Sequence, residues 1–235
     1  MNADSGDARV GVVLAVDAGT TGVTVLLVTE EAEVLARGYA EFAQHFPQPG
    51  WVEHAPEEIW QATLTAAQAA LDGGLERVAI IDFDVHHGNG TQDIFYERSD
   101  VLYMSCHQSP FYPGTGAAGE RGRGEGEGFT VNVPMSPGGG QAEYLGVFDE
   151  VFLPALREYE PELLLLSAGF DAHRNDPLAQ MELTGSDYGL LAGRLRASAE
   201  ELCEGRSAWL LEGGYDLHGL SESVVAVLKE LSATA

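Results

Sequence analysis

The stretch Asp82-Phe83-Asp84-Val85-His86-His87 constrains this chain more than any other part of it. It follows Arg77-Val78-Ala79-Ile80-Ile81, a short β-branched apolar run that reads as a buried strand, and it precedes Gly88-Asn89-Gly90. Side chains alternate along a strand, so Asp82, Asp84 and His86 are expected on one face, with Phe83, Val85 and His87 on the other. Two carboxylates and an imidazole at the end of a buried strand are costly to leave unpaired. A metal ion removes that cost. Asp and His ligands with no Cys suit a zinc site that keeps an open coordination position. A hydrogen-bonded turn without metal is the competing reading of this segment alone.

A second segment favours the metal. Pro161 to Asp171 (Pro-Glu-Leu-Leu-Leu-Leu-Ser-Ala-Gly-Phe-Asp) reads as another buried strand that ends in small residues and a carboxylate. In open parallel α/β sheets, ligands gather at the carboxyl ends of strands. Asp171 is therefore expected to meet Asp84 and His86, a set that leaves a position free for water and substrate. A third strand, Ser207 to Leu211, delivers Glu212-Gly213-Gly214-Tyr215, where glycines let the backbone approach a ligand closely.

Four motifs fall in the order of a known family: Asp-Phe-Asp-Val-His-His-Gly-Asn-Gly-Thr-Gln (82–92), Phe-Tyr-Pro-Gly-Thr-Gly (111–116), Ser-Ala-Gly-Phe-Asp-Ala-His (167–173) and Glu-Gly-Gly-Tyr (212–215). They resemble the zinc-dependent histone deacetylases, with the flavour of class II enzymes and bacterial acetylpolyamine amidohydrolases. The resemblance spans roughly residues 75–232. It implies the C-terminal part of an arginase/deacetylase-type parallel sheet flanked by helices. It further implies Asp84, His86 and Asp171 as zinc ligands, and Tyr215 as the hydrogen-bond donor to the substrate carbonyl as it becomes an oxyanion, a contact usually worth a few kcal/mol of barrier. Asp82 and Ser105 match a monovalent-cation (K+) site. Phe111 and Tyr112 match the aromatic lining of a substrate tunnel. The implied reaction is hydrolysis of an N-acetyl amide, on acetyl-lysine or an acetylpolyamine, by metal-activated water.

The sequence also departs from that family. Its general base is a pair of adjacent histidines in a Gly-His-His loop upstream of the first metal strand. Only His45 and His54 precede His86 here, and neither lies in such a loop. General base catalysis typically contributes about 10²–10⁴-fold, so the expected enzyme is impaired. A non-catalytic, zinc-holding binding module for acetylated amines is the first alternative. His107, His173, His218, Asp176 and Asp187 read as structural or exposed groups, outside the metal set.

The start of the chain carries a second resemblance. Val10 to Asp17, Ala18-Gly19-Thr20-Thr21-Gly22 and Val23 to Val28 read as strand, tight turn and strand, with a third strand over 33–43 and a helix from about Pro56 to Leu71. This is similar to the opening of an FGGY carbohydrate kinase of the glycerol kinase kind. The resemblance makes Asp17, Gly19, Thr20 and Thr21 a phosphate loop, a nest of N–H groups and hydroxyls for ATP phosphates. No second phosphate loop or adenosine pocket can be placed after residue 75, so ATP is not expected to bind. A nucleotide-binding remnant is the second alternative. The expected organisation is a disordered stretch over 1–8, a kinase-like antiparallel β-hairpin segment and helix over 9–74, and a partial deacetylase-like zinc domain over 75–235.

Composition narrows the partners. The 235-residue chain is 45% hydrophobic with strand–helix alternation, the mark of a globular α/β protein. Its formal charge of −25 argues against direct nucleic-acid binding, which needs basic patches. The charge would attract cationic substrates, or simply solvate the surface. Gly114–Gly128 reads as a flexible loop near the pocket mouth. Cys106 and Cys203 form no disulfide or thiolate-metal pattern. No basic leader or membrane-spanning stretch is seen, so a cytoplasmic location is expected.

Overall fold

The computed structural model describes residues 12–18, 22–29, 34–41, 43 and 76–232. The chain divides into two compact units, Met1–Gly74 and Leu75–Ala235.

In the first unit, β1 (Val12–Ala18), β2 (Gly22–Thr29) and β3 (Val34–Glu41) pair antiparallel in chain order. β1 and β2 are the expected hairpin, with Asp17 opposite Thr24. Gly19, Thr20 and Thr21 of the phosphate-loop reading lie outside the described residues, as do the 1–8 stretch and the Pro56–Leu71 helix.

The second unit is a parallel sheet flanked by helices. β4 (Val78–Asp82) pairs with β5 (Val101–Gln108) on one side and β7 (Leu163–Ala168) on the other. β6 (Thr130–Met135) joins β5, and β8 (Ser207–Leu211) joins β7, all parallel. The central strands β4 and β7 are buried except at the half-buried Val78 and Ser167, which is why Val-Ala-Ile-Ile and Leu-Leu-Leu-Leu are continuous apolar runs and not alternating ones.

Helices cover the faces. α1 (Asn89–Phe95) follows the β4 motif. The amphipathic stretch Gln141–Tyr159 is α2 (Gln141–Val147) and α3 (Leu153–Tyr159), joined through a π-turn at Phe148–Phe152. Its stripe of Tyr144, Phe148, Phe152 and Leu156 is fully buried, while Leu145 is only partly so. α4 (Gly185–Leu202) packs on α5 (Leu217–Leu231). Thr184 and Asp187 start α4: the Asp187 carboxylate accepts from the Thr184 N–H at 2.8 Å and from its hydroxyl at 2.7 Å.

Gly114–Gly128 is not the free loop that its glycines imply. The Glu120 carboxylate accepts from the N–H groups of Gly116 and Ala117, each at 3.1 Å, and from Gln92 Nε2 at 2.6 Å. Arg123 N–H donates to Tyr96 O at 2.8 Å. One internal carboxylate and the α1 end tie the loop to the domain. Composition hides this because the tie points are single residues. Among the described residues, no helix is long and apolar enough to cross a membrane.

Candidate metal centre

β4 ends at Asp82, so Asp84 and His86 sit on turns beyond the strand and not on its face. The reason is local. The Asp84 side chain accepts the His86 N–H at 2.8 Å, the side-chain-to-backbone bond with which Asp initiates turns. Val85 N–H is held by Asp171 Oδ1 at 2.8 Å, and Val85 O accepts from Gln108 N–H at 2.9 Å. The two-sided sorting still holds. Phe83 and Val85 enter the core, and His87 points away from the carboxylates, with Nδ1 2.7 Å from Thr115 Oγ1 and Nε2 3.0 Å from Gln92 Oε1.

Asp171 follows β7 by a short turn and reaches the same place. One ligand-type atom from each of Asp84, His86 and Asp171 lies within 4.8 Å of the others. His86 Nδ1 is 3.1 Å from Asp84 Oδ1 and 3.0 Å from Asp171 Oδ2. Asp171 is wholly buried, and its Oδ2 accepts no hydrogen bond. An orphaned carboxylate oxygen costs roughly 1–3 kcal/mol or more. The adjoining carboxylates of Asp171 and then Asp84 hold His86 in its charged form up to about pH 10. Burial pushes the Asp171 carboxyl up to about 6. Both shifts describe a buried pair of carboxylates that demands positive charge, and the O/N donor set with one imidazole suits zinc.

Two glycines make the convergence possible. A Cβ on Gly213 would meet Asp171 Oδ2 at 2.2 Å and Asp84 Oδ2 at 2.5 Å, and one on Gly169 would meet Asp84 Oδ2 at 2.1 Å. With hydrogen there instead, Gly213 N–H donates to Asp84 Oδ2 at 3.0 Å and orients that carboxylate. The Glu-Gly-Gly-Tyr motif pointed to close backbone approach at 213. Nothing in the Ser-Ala-Gly-Phe-Asp run marked Gly169 in the same way.

The other expected residues fall around this cluster. Phe111 stacks on His86 with ring centroids 5.1 Å apart, and Tyr112 meets it edge-on at 6.3 Å, itself 77% exposed. Tyr215 lies two residues beyond Gly213 and is 55% exposed. Asp82 and Ser105 are register partners on β4 and β5. Their side chains have protein partners: Asp82 Oδ2 accepts from Tyr103 Oη at 2.8 Å, and Ser105 Oγ lies 2.9 Å from His107 Nδ1. Burial, then Glu212 and Asp84, raises the Asp82 carboxyl well above its ordinary value.

His107 is structural, as expected. Its Nε2 is 3.0 Å from Gly116 O and its ring centroid is 4.8 Å from that of His87. Burial, then the neighbouring His87, pushes its pKa down to about 4. A histidine whose pKa falls on folding supports stability above its unfolded pKa of about 6.5 and withdraws it as pH drops through 4. The expected loss over that window is roughly 3 kcal/mol. Urea unfolding at pH 7 and pH 4 checks this: His107→Gln should lose correspondingly less stability on acidification than the wild type, and equal losses would contradict the assignment.

Residues 60–231 match the family model for the histone deacetylase domain. Residues 12–83 match the N-terminal domain of the FGGY family of carbohydrate kinases. A histone deacetylase 10, chloroplastic, of Oryza sativa subsp. japonica is 50% identical over 161 residues, which are 68% of this chain and 36% of the relative. The histone deacetylase-like amidohydrolase of Pseudomonas aeruginosa is 44% identical over 68% of this chain and 42% of its own length. The crystal structure of the HDA15 HD domain superposes with a TM-score of 0.66 at 45% identity, covering 72% of this chain and 48% of that one. The chain thus spans less than half the length of each of these relatives.

Proposed function

This chain belongs to the histone deacetylase family, and from that premise we propose that Asp84, His86 and Asp171 hold a zinc ion for hydrolysis of N-acetyl amides. The observation that carries the proposal is the buried, unbonded Asp171 Oδ2 beside His86 Nδ1 and Asp84. Zinc, when bound, supplies a Lewis acid that polarises a carbonyl and lowers the pKa of water.

The chain's own residues supply the rest of the proposed chemistry. The Tyr215 hydroxyl donates to the acetyl carbonyl oxygen as negative charge develops on it. Desolvation and the carboxylates of Asp171, Asp84 and Asp176 raise its pKa, which keeps the phenol in the protonated form that can donate. Phe111 and Tyr112 flank His86 and form an apolar wall for the methylene stem of an acetylated amine. A potassium ion beside Asp82 and Ser105 would relieve the buried Asp82 charge. The net charge of −25 favours amine-bearing substrates such as acetyl-lysine peptides and acetylpolyamines over nucleic acid. We assign residues 75–235 to this zinc domain and 9–74 to the kinase-like fragment, in a cytoplasmic protein.

No adjacent histidine pair precedes His86, so turnover is expected to be slow. The same feature favours a second reading, a zinc-holding module that binds acetylated amines without hydrolysing them. Acetate release from acetyl-lysine peptide and acetylspermidine by zinc-loaded protein separates the two. We expect slow release, reduced about 100-fold in Tyr215→Phe at unchanged zinc content. Zinc and ligand binding with no acetate release would leave the binding module. Release unaffected by Tyr215→Phe would contradict the role given to Tyr215.

A further inference from the structure

The Tyr215 hydroxyl can act as a donor only if the ring is held in place, yet the residue is 55% exposed. Its backbone is held instead. Phe170 N–H donates to Gly213 O at 2.7 Å, and Asp216, the N-cap of α5, accepts from Gly219 N–H at 2.6 Å. Between these two points the Tyr215 N–H donates to Asp176 Oδ2 at 2.8 Å.

Asp176 is itself built into a fixed turn. It is only 7% exposed. Its other oxygen, Oδ1, accepts from Leu178 N–H at 2.9 Å, and its own N–H donates to His173 O at 2.8 Å. His173 Nε2 in turn lies 2.8 Å from Glu222 Oε1 on α5. The turn begins at Asp171, the proposed metal ligand. One short stretch, 171–176, therefore carries a carboxylate to the metal centre at one end and a carboxylate to the Tyr215 backbone at the other. A buried carboxylate that spends both oxygens on backbone N–H groups fixes those groups more firmly than a neutral acceptor does.

We propose that Asp176 is the positioning residue for Tyr215, clamping the backbone of the Glu-Gly-Gly-Tyr loop from which the phenol serves the metal centre. The proposal rests on the deacetylase reading for its catalytic consequence, but the clamp itself is a property of the fold. Misplacing a reacting group by about 1 Å can cost on the order of 100-fold in rate. Both Asp176 oxygens are taken by backbone N–H groups and Asp176 lies outside the metal cluster, so its loss should lower kcat and leave KM and zinc content where they are.

The test uses zinc-loaded full-length wild type, Asp176→Ala, Asp176→Asn and Tyr215→Phe, together with the Asp176→Ala/Tyr215→Phe double variant. Two readouts run in parallel: the hydrogen-exchange rate of the Tyr215 amide by NMR, and kcat and KM on acetyl-lysine peptide. We expect Asp176→Ala to speed Tyr215 amide exchange by about 10-fold or more, with zinc content unchanged and kcat lower by about 10–100-fold. Asp176→Asn keeps one acceptor oxygen and should recover part of both effects. In the Tyr215→Phe background, Asp176→Ala should add less than about 2-fold, since the two act as a unit. Unchanged amide exchange in Asp176→Ala overturns the clamp. So does a full, additive loss of kcat on top of Tyr215→Phe, which would mean that Asp176 acts through something other than Tyr215. If the wild type releases no acetate, the hydrolase reading fails while the clamp is still judged by the exchange rates alone.

Discussion

Asp171→Asn should reduce zinc affinity by more than about 100-fold while leaving the fold in place. Loss of a partner that merely orients a metal ligand already costs roughly 10–100-fold, and Asp171 is placed to bind the metal directly. The substitution removes the charge from the buried oxygen that no hydrogen bond satisfies, and leaves only Asp84 and His86 of the cluster. Asn is preferable to Ala because its amide oxygen can still accept the Val85 N–H that Asp171 Oδ1 holds at 2.8 Å. Ala would strand that donor at a cost of roughly 1–3 kcal/mol and confuse metal loss with unfolding. A metal-free signature should accompany the change. Asp171 is the first support of the charged His86, which it and Asp84 sustain to about pH 10, so the variant should titrate His86 nearer the ordinary imidazole range. Isothermal titration with zinc and NMR titration of His86 check the two effects. Wild-type affinity in Asp171→Asn would remove Asp171 from the metal set.

Phe83→Ala should be the most destabilising single substitution near the site. Phe83 lies between Asp82 and Asp84 but faces the opposite way, 1% exposed, with its ring centroid 6.4 Å from Phe170, 6.2 Å from Tyr188 and 6.1 Å from Trp209. Phe170 precedes Asp171, and Trp209 lies on β8 ahead of the Gly213 loop. The ring is thus the apolar floor beneath three strand ends that supply the site. Truncation of a buried Phe typically costs about 3–5 kcal/mol, a large share of the roughly 5–15 kcal/mol that holds a domain together. Urea unfolding should show that loss, and zinc affinity should fall with it because the three strand ends lose their common support. A change below about 1 kcal/mol would mean that the aromatic cluster does not brace the site.

The clustering of Asp84, His86 and Asp171 was legible in the sequence because its parts are short and chemically loud. Carboxylates and an imidazole directly after continuous apolar strands are hard to bury without a metal, and the parallel order of β8-β7-β4-β5-β6 brings those strand ends together. The strand from Ser207 to Leu211 was readable for the same local reasons. What the sequence concealed depends on neighbours far along the chain. Strand alternation placed Asp84 and His86 on a strand face, but the Asp84 side chain turns the backbone first, and a side chain capturing its own backbone leaves no periodic signal. Asp176 read as a structural or exposed group with no stated partner because that partner, the Tyr215 N–H, is 39 residues away. Gly114–Gly128 read as flexible because the ties made by Glu120 and Arg123 are invisible to composition. The phosphate-loop reading at Gly19, Thr20 and Thr21 lies outside the described residues.

Everything proposed for catalysis depends on one zinc ion held by two carboxylates and one imidazole. Elemental analysis joined to zinc X-ray absorption on the purified wild-type chain addresses that ion without relying on turnover. About one zinc per chain is expected, in a shell of light O/N atoms with a single imidazole and no sulfur, consistent with Cys106 and Cys203 being buried and not part of the cluster. Folded protein that takes up no zinc after reconstitution, or zinc bound through sulfur, would contradict it.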